Sequence, residues 1–322
     1  MRRSRHALAV LLAVGLAAAA TGLSAAEPAG RWRLGKPHRL RVTHTTRVRI
    51  AEGTAKLQVW HAEPLTREWP GLKAAFAAQQ PSFTPSGAKE TPTRSEGGLA
   101  WKWELADPVI GETDYVSTFE LLSADRELKT SGLVIRWADL PRDIDEAMKG
   151  LAPLPTPNAR VRDAAAQIQR KAKDVIDGLT DFARWVNQNV AYTPGVSYAS
   201  DDLDAICRGG GGHCGHRATV YLALCRAAGI PARRVVGYAL LNHAPSAGGV
   251  DDTNRHVWVQ VKLPTLGWVE VEPAPRGSPF ALSYAFVMCP FDLQSRFVAA
   301  VSKTGVQTAP IVVDTLRVEE VR

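Results

Sequence analysis

Three residues combine the right type with a setting suited to nucleophilic chemistry: Cys214, His256 and Glu272. Cys214 closes the run Arg208-Gly-Gly-Gly-Gly-His-Cys214. Beyond it, Ala218, Tyr221, Leu222, Cys225 and Ala228 recur at three- and four-residue steps, which predicts a helix with one apolar stripe. Gly229, Ile230 and Pro231 end it. Cys214 therefore belongs to the first turn, where unpaired N–H groups and the positive end of the helix dipole favour a thiolate. The preceding glycines leave little side-chain bulk to screen the sulfur, and Cys225 already fills the core role that most cysteines play.

A thiol nucleophile needs a base, and the base needs an orienting acceptor. Arg255–Leu263 alternates cleanly, Pro264-Thr-Leu-Gly267 turns the chain, and Trp268–Glu272 returns it, so a β-hairpin is expected. Parity puts Val257, Val259, Val261 and Leu263 on one face with Val269 and Val271. His256, Trp258 and Gln260 share the other face with Trp268, Glu270 and Glu272. His256 is then placed to take the thiol proton and Glu272 to hold the imidazole tautomer. The Cys214 N–H is one donor for a developing oxyanion, and Tyr192 and Tyr198 are both candidates for the second.

Gly-Gly-His-Cys214 with its helix, Ala228-Gly-Ile-Pro-Ala-Arg-Arg-Val-Val-Gly-Tyr238, His256-Val-Trp-Val-Gln-Val and Gly267-Trp-Val-Glu-Val-Glu-Pro273 together resemble the core motifs of the transglutaminase-like superfamily. The helix bearing Trp185 and the nearby Tyr192 resemble its lead-in, so the likeness covers roughly residues 160–275. The resemblance implies a papain-like α+β fold, helices packed on an antiparallel sheet, and a Cys–His–Asp triad. Carried over by motif, the triad is Cys214, His256 and Glu272, with glutamate where the family usually has aspartate. It implies attack by Cys214 on an amide carbonyl of a protein or peptide to give a thioester. Water would then make the chain a cysteine peptidase or amidase, and an amine a crosslinking transglutaminase. A non-catalytic envelope-binding module on the same fold is the third reading. No cofactor is expected. His213, Cys214 and His216 could ligate zinc, but fit none of the usual paired spacings, and His213 and His216 are read instead as loop and helix-surface residues around the cysteine. Asp251-Asp252 lacks a calcium-loop pattern.

The elements that must position these residues follow the chain. Residues 1–26 join Arg2, Arg3 and Arg5 to the apolar run Ala7–Ala20 and to Ser24-Ala25-Ala26, the layout of a cleavable secretory leader. A periplasmic or secreted location and no membrane span in the mature chain follow as expectations. Removing the three leader arginines from a net charge of +7 leaves +4, which does not mark a nucleic-acid binder. Residues 27–140 alternate in short runs, predicting a β-sandwich-like domain with Gln79–Gly98 as a loop or irregular insertion. Trp101 and Trp103 are read as core rather than as a binding face. A Pro-marked connector, 141–158, carries one helical turn near Ile144–Met148. The catalytic domain spans 159–290, beginning with two helices: one capped by Asn158, one marked by Phe182, Trp185, Val186 and Val190. Residues 291–322 complete or flank that core as strands, and Asn242–Asn254 is a rim loop. Of the four cysteines, Cys207 and Cys289 form a candidate disulfide that leaves Cys214 free.

Overall fold

A computed structural model describes residues 30–62, 82–92, 99–149, 154–239, 255–283, 286–288, 298–302, 305–307 and 311–321. The leader, the 242–254 rim segment and Cys289 lie outside the described residues.

The chain is α+β, and its N-terminal half is a pair of packed antiparallel sheets. Strand His38–Ile50 shows why. Leu40, Val42, Val48 and Ile50 are buried, while the arginines between them face out. Arg41, Arg47 and Arg49 stand directly opposite Glu120, Asp114 and Glu112 on strand Gly111–Ser123 and form ion pairs with them. These exposed, solvent-screened pairs favour this register only weakly. The buried face meets Leu57, Val59 and Trp103 of the second sheet and shares one core with them.

Two expectations for this half are revised. The stretch Gln79–Gly98 contributes the edge strands Ser82–Thr84 and Lys89–Pro92 rather than being irregular throughout. Phe83 packs on Trp101 (4.5 Å between ring centres), and the Trp103 indole N–H donates to the Pro85 carbonyl at 2.7 Å. The C-terminal strands do not flank the helical core. Strand Val298–Ser302 pairs with Thr54–Ala62, and strand Ile311–Glu320 runs antiparallel along His38–Ile50. Each of those two N-terminal strands has one side without an N-terminal partner, and a free edge of N–H and C=O groups recruits the strand that can saturate it.

In the other half, helix Cys214–Ala227 lies between two layers. Helices Ala159–Lys171 and Val175–Asn189 pack on one side. On the other is a four-stranded sheet, ordered 267–271, 255–263, 232–239, 286–288. Every residue from Ala218 to Cys225 is buried, so the expected single stripe is instead a helix covered all round. Its polar groups are satisfied inside: Tyr221 Oη donates to the Leu179 carbonyl (3.1 Å) and Thr219 Oγ1 to the Ser200 carbonyl (2.6 Å). The hairpin valines Val259, Val261, Val269 and Val271 are fully buried in this core, each contributing about 1.5–3 kcal/mol. The two flanking helices start where side-chain caps dictate, at Asn158 and Asp174. A short turn, Ile144–Ala147, capped by Asp143, lies in the connector. The halves are joined by a three-stranded sheet of Trp32–Leu34, Arg126–Leu128 and Ala281–Leu282.

One polar cluster is sealed inside the sandwich. His61, fully buried, contacts Ser117 Oγ at 2.8 Å through Nδ1 and Thr46 Oγ1 at 3.0 Å through Nε2, and stacks on His44 at 3.9 Å. Burial and the neighbouring His44 hold its pKa well below the ordinary imidazole value of 6.5. A histidine kept neutral when folded but free to protonate when unfolded contributes stability that is whole above that ordinary value and lost as pH falls below it. Thermal unfolding between about pH 7.5 and about pH 5 should therefore show Tm dropping on acidification, and dropping less in His61→Gln. Parallel curves would place the acid sensitivity elsewhere.

Candidate active site

The first turn of helix Cys214–Ala227 is built by a reciprocal histidine cap. His213 precedes it in extended conformation, and its Nδ1 accepts from the Gly215 N–H (3.1 Å). His216 Nδ1 accepts in return from the His213 N–H (3.2 Å), while its Nε2 contacts the Tyr198 carbonyl at 3.1 Å. A ring that accepts at one nitrogen and meets a carbonyl at the other is the neutral, Nε2-protonated tautomer. His216 is thus a buried capping residue, not the helix-surface group expected. Among the described residues, no three His, Cys, Asp or Glu side chains are grouped as metal ligands would be.

The glycine run is dictated by packing. A Cβ on Gly209 would sit 2.8 Å from Tyr198 Oη, one on Gly211 2.8 Å from Thr193 Oγ1, and one on Gly212 2.5 Å from His216 Cβ. Gly212 also has φ +155°, which few other residues adopt. The run ends the short helix Leu203–Gly209, which sequence periodicity missed, and forms a parallel bridge placing Gly211 beside Ala191 and Gly212 beside Tyr192. The glycines thus serve to bring the peptide leading to Cys214 against its neighbours, rather than only to open space around the sulfur.

Three elements converge on the thiol. Cys214, partly exposed, is hydrogen-bonded to His256 at the start of strand Arg255–Leu263. His256 Nε2 meets Glu272 Oε2 at 2.8 Å, which leaves Nδ1 as the ring nitrogen for the sulfur. Glu272 is itself fixed: its Oε1 accepts from the Ala274 N–H at 3.3 Å, and its own N–H donates to the Pro279 carbonyl at 2.8 Å. The strand pairs Val259 with Val271, so Glu272 lies diagonally across from His256, as the hairpin parity requires.

The electrostatics favour an ion pair. Burial pushes the Cys214 thiol up, but the His256 hydrogen bond and charge, with the N–H groups of Val257 and Gly215, draw it below its ordinary value. Burial pulls His256 down, yet its hydrogen bonds to Cys214 and Glu272 and their charges raise it to about 9. Cys225, buried on the same helix, is pushed far up by desolvation alone. The arrangement can take a proton from sulfur, hold it on imidazole and return it to a leaving group.

Other residues fall differently from the sequence reading. Tyr198 Oη donates to the Gly211 carbonyl at 2.5 Å, so its proton is committed within the fold and not aimed at a substrate oxygen. Tyr192 is exposed, and Arg217 lies over its ring at 5.4 Å. Arg217, whose Nε donates to the Val190 carbonyl at 3.0 Å, faces Glu272 and Cys214 with its charge. Arg234 donates to Thr219 Oγ1 at 2.6 Å and also acts on Cys214. Neither arginine was singled out by sequence reading; the helical step from Cys214 to Arg217 was the available signal. Cys207 is a free thiol buried among the helices, and Cys289, its candidate partner, lies outside the described residues. Glu270, expected two residues along the same face as Glu272, is buried: Arg126 Nε donates to it at 2.7 Å and the Trp258 indole N–H at 3.1 Å. Removing one partner of such a buried pair costs about 3–5 kcal/mol.

Known proteins share this arrangement of elements. Residues 162–273 match the model of the transglutaminase-like superfamily. A protein-glutamine gamma-glutamyltransferase of Pseudomonas aeruginosa is 32% identical over 128 residues, 38% of this chain and 19% of that protein. An uncharacterized Mycobacterium leprae protein is 28% identical over 185 residues, covering 55% of this chain and 63% of its own length. The chain thus spans only a minor part of the first relative and less than two thirds of the second. A solved structure described as a candidate cysteine protease from Cytophaga hutchinsonii superposes with a TM-score of 0.58 at 13% identity, over 90% of this chain and 93% of that one, which shows a shared fold. The segment 162–273, holding the buried helix and the hairpin with Cys214, His256 and Glu272, is the part of the chain that matches the transglutaminase-like superfamily.

Proposed function

We propose that the protein is an exported cysteine acyl-transfer enzyme that cleaves amide bonds of proteins or peptides, with Cys214 as nucleophile, His256 as acid–base and Glu272 as the orienting acceptor. The observation that carries this reading is the continuous hydrogen-bonded chain from the Cys214 thiol through His256 to Glu272 at the start of a buried helix. The thiolate attacks the amide carbonyl, and His256 passes its proton to the leaving amine, giving a thioester. The Cys214 N–H at the start of the helix is the donor this reading assigns to the developing tetrahedral oxyanion. Cys214 is partly exposed, so water reaches the thioester unless an amine is held in its place. Hydrolysis is therefore the preferred outcome. Transfer to an amine is the second reading, favoured by the Pseudomonas aeruginosa relative's name. Export rests on the leader-like first 26 residues.

Incubating the protein with a peptide library, with and without a primary amine, separates these readings by mass. Cleaved peptides are expected. Amine adducts without cleavage would favour transamidation, and an inert library would favour a binding module.

The lowered thiol makes a direct prediction. Iodoacetamide should label Cys214 much faster than Cys225 at about pH 6, and His256→Ala should slow that labelling. Equal rates for the two cysteines would remove the ion pair.

Glu272 tests the orienting role. Losing the corresponding aspartate in a serine triad costs on the order of 10⁴-fold. A thiolate–imidazolium pair partly sustains itself, so Glu272→Ala should lower kcat roughly 10- to 1,000-fold, about 1.4–4 kcal/mol of barrier. KM should change less, and Glu272→Asp should retain more activity than the alanine variant. An unchanged kcat in a folded Glu272→Ala protein would exclude Glu272.

A further inference from the structure

We propose that Arg126 is a positioning residue for His256: acting through Glu270 and Trp258, it fixes the imidazole in the plane where Nε2 meets Glu272. The inference rests on the catalytic reading of His256 given above.

Trp258 follows His256 by two residues on one strand, so the two side chains share a face. Their rings lie 6.0 Å apart and 22° from parallel, one against the other. The Trp258 ring can hold its neighbour only if it is itself held. It is fully buried, and its indole N–H donates to Glu270 Oε1 at 3.1 Å. The other carboxylate oxygen, Oε2, accepts from Arg126 Nε at 2.7 Å. Arg126 is locked in turn: its Nη1 donates to the Ser283 carbonyl at 3.1 Å, and its backbone pairs with Leu34 on one side and Leu282 on the other. The side chains of Arg126 and Glu270 are 2% and 3% exposed, so water does not compete for these bonds.

The chain of contacts thus runs from the joining sheet to the imidazole without a break. A surface arginine could not do this, because a solvated ion pair leaves its side chains free to change rotamer. Arg126 lies upstream of the segment that matches the superfamily core, so that segment by itself lacks the clamp. The groups that bear on the titration of the pair are Cys214 and Glu272 beside His256, with Arg217 and Arg234 acting on the thiol.

The test uses the whole protein and iodoacetamide as the probe. Arg126→Gln, Glu270→Gln and Trp258→Phe are compared with wild type and His256→Ala, each checked for folding by near-UV circular dichroism. Trp258→Phe keeps a buried aromatic ring but removes the N–H, so it decides the matter where the charge variants fail to fold. The expected result is a shift of the Cys214 labelling curve to higher pH, with labelling at about pH 6 slowed about 10-fold, the lower end of the range seen when a hydrogen-bond partner of a metal-bound histidine is lost. Arg126→Lys, keeping the charge without the guanidinium fork, should recover part of the loss. A purely structural role would lower Tm and leave the labelling curve in place. Folded Trp258→Phe and Arg126→Gln proteins labelling along the wild-type curve would overturn the proposal while leaving the catalytic reading intact. No effect of His256→Ala would remove both.

Discussion

The site depends on one contact, the hydrogen bond between His256 and Glu272 at 2.8 Å. An imidazole placed against a thiol in a partly buried setting would ordinarily lose its proton to desolvation. The hydrogen bond to Cys214 and the Glu272 carboxylate together reverse that balance, and the carboxylate fixes which ring nitrogen faces the sulfur. Everything around it keeps the distance constant. The valine face of the hairpin is buried against the helix that carries Cys214, and that helix is enclosed on every side. The thiol and the imidazole therefore belong to one packed body rather than to loops.

A glutamate in the third position lengthens the acceptor by one methylene. The backbone at Glu272 accommodates it by tying the main chain to Pro279 and the second carboxylate oxygen to Ala274. The side chain reaches His256 with both oxygens engaged, so the longer arm is fixed at its far end. Arg217 adds a positive charge opposite both Glu272 and Cys214, offsetting the concentration of negative charge at a site that holds a thiolate beside a carboxylate.

The parts legible in the sequence were those written as local periodicity. Alternation of two in Arg255–Leu263 gave the hairpin and the diagonal placement of His256 and Glu272, and the caps Asn158 and Asp202 stand in plain view before their helices. Only the first of those caps was read, because seven residues from Leu203 to Gly209 are too few to show a helical period. Parity also placed Glu270 beside Glu272, but parity assigns a face and not a cover. Burial of Glu270 comes from Arg126, on a strand distant in sequence. The same limit explains the C-terminal strands: their alternation marks them as strands, while their partners at His38–Ile50 and Thr54–Ala62 are set by which edges are left open. The histidine cap was hidden because His213 and His216 are unusual cap residues, and only the neutral tautomers forced by their surroundings let them accept backbone N–H groups.

The pairing of strand Ile311–Glu320 with His38–Ile50 makes the transglutaminase-like core an insertion between two strands of one sheet. Glu320 touches His38 across 282 residues of chain. Closing so long a loop from a disordered chain is slow, because the entropy is lost before the contact forms. Once the inserted core has folded, it acts as a short rigid bridge, and the effective loop shrinks to the segments on either side of it. The order of assembly is thereby written into the topology. A chain emerging from synthesis must carry strand His38–Ile50 with one edge unsaturated until strand Ile311–Glu320 arrives. The arginine row along the outward face of that waiting strand, at Arg39, Arg41, Arg47 and Arg49, makes it a poor template for a second copy of itself.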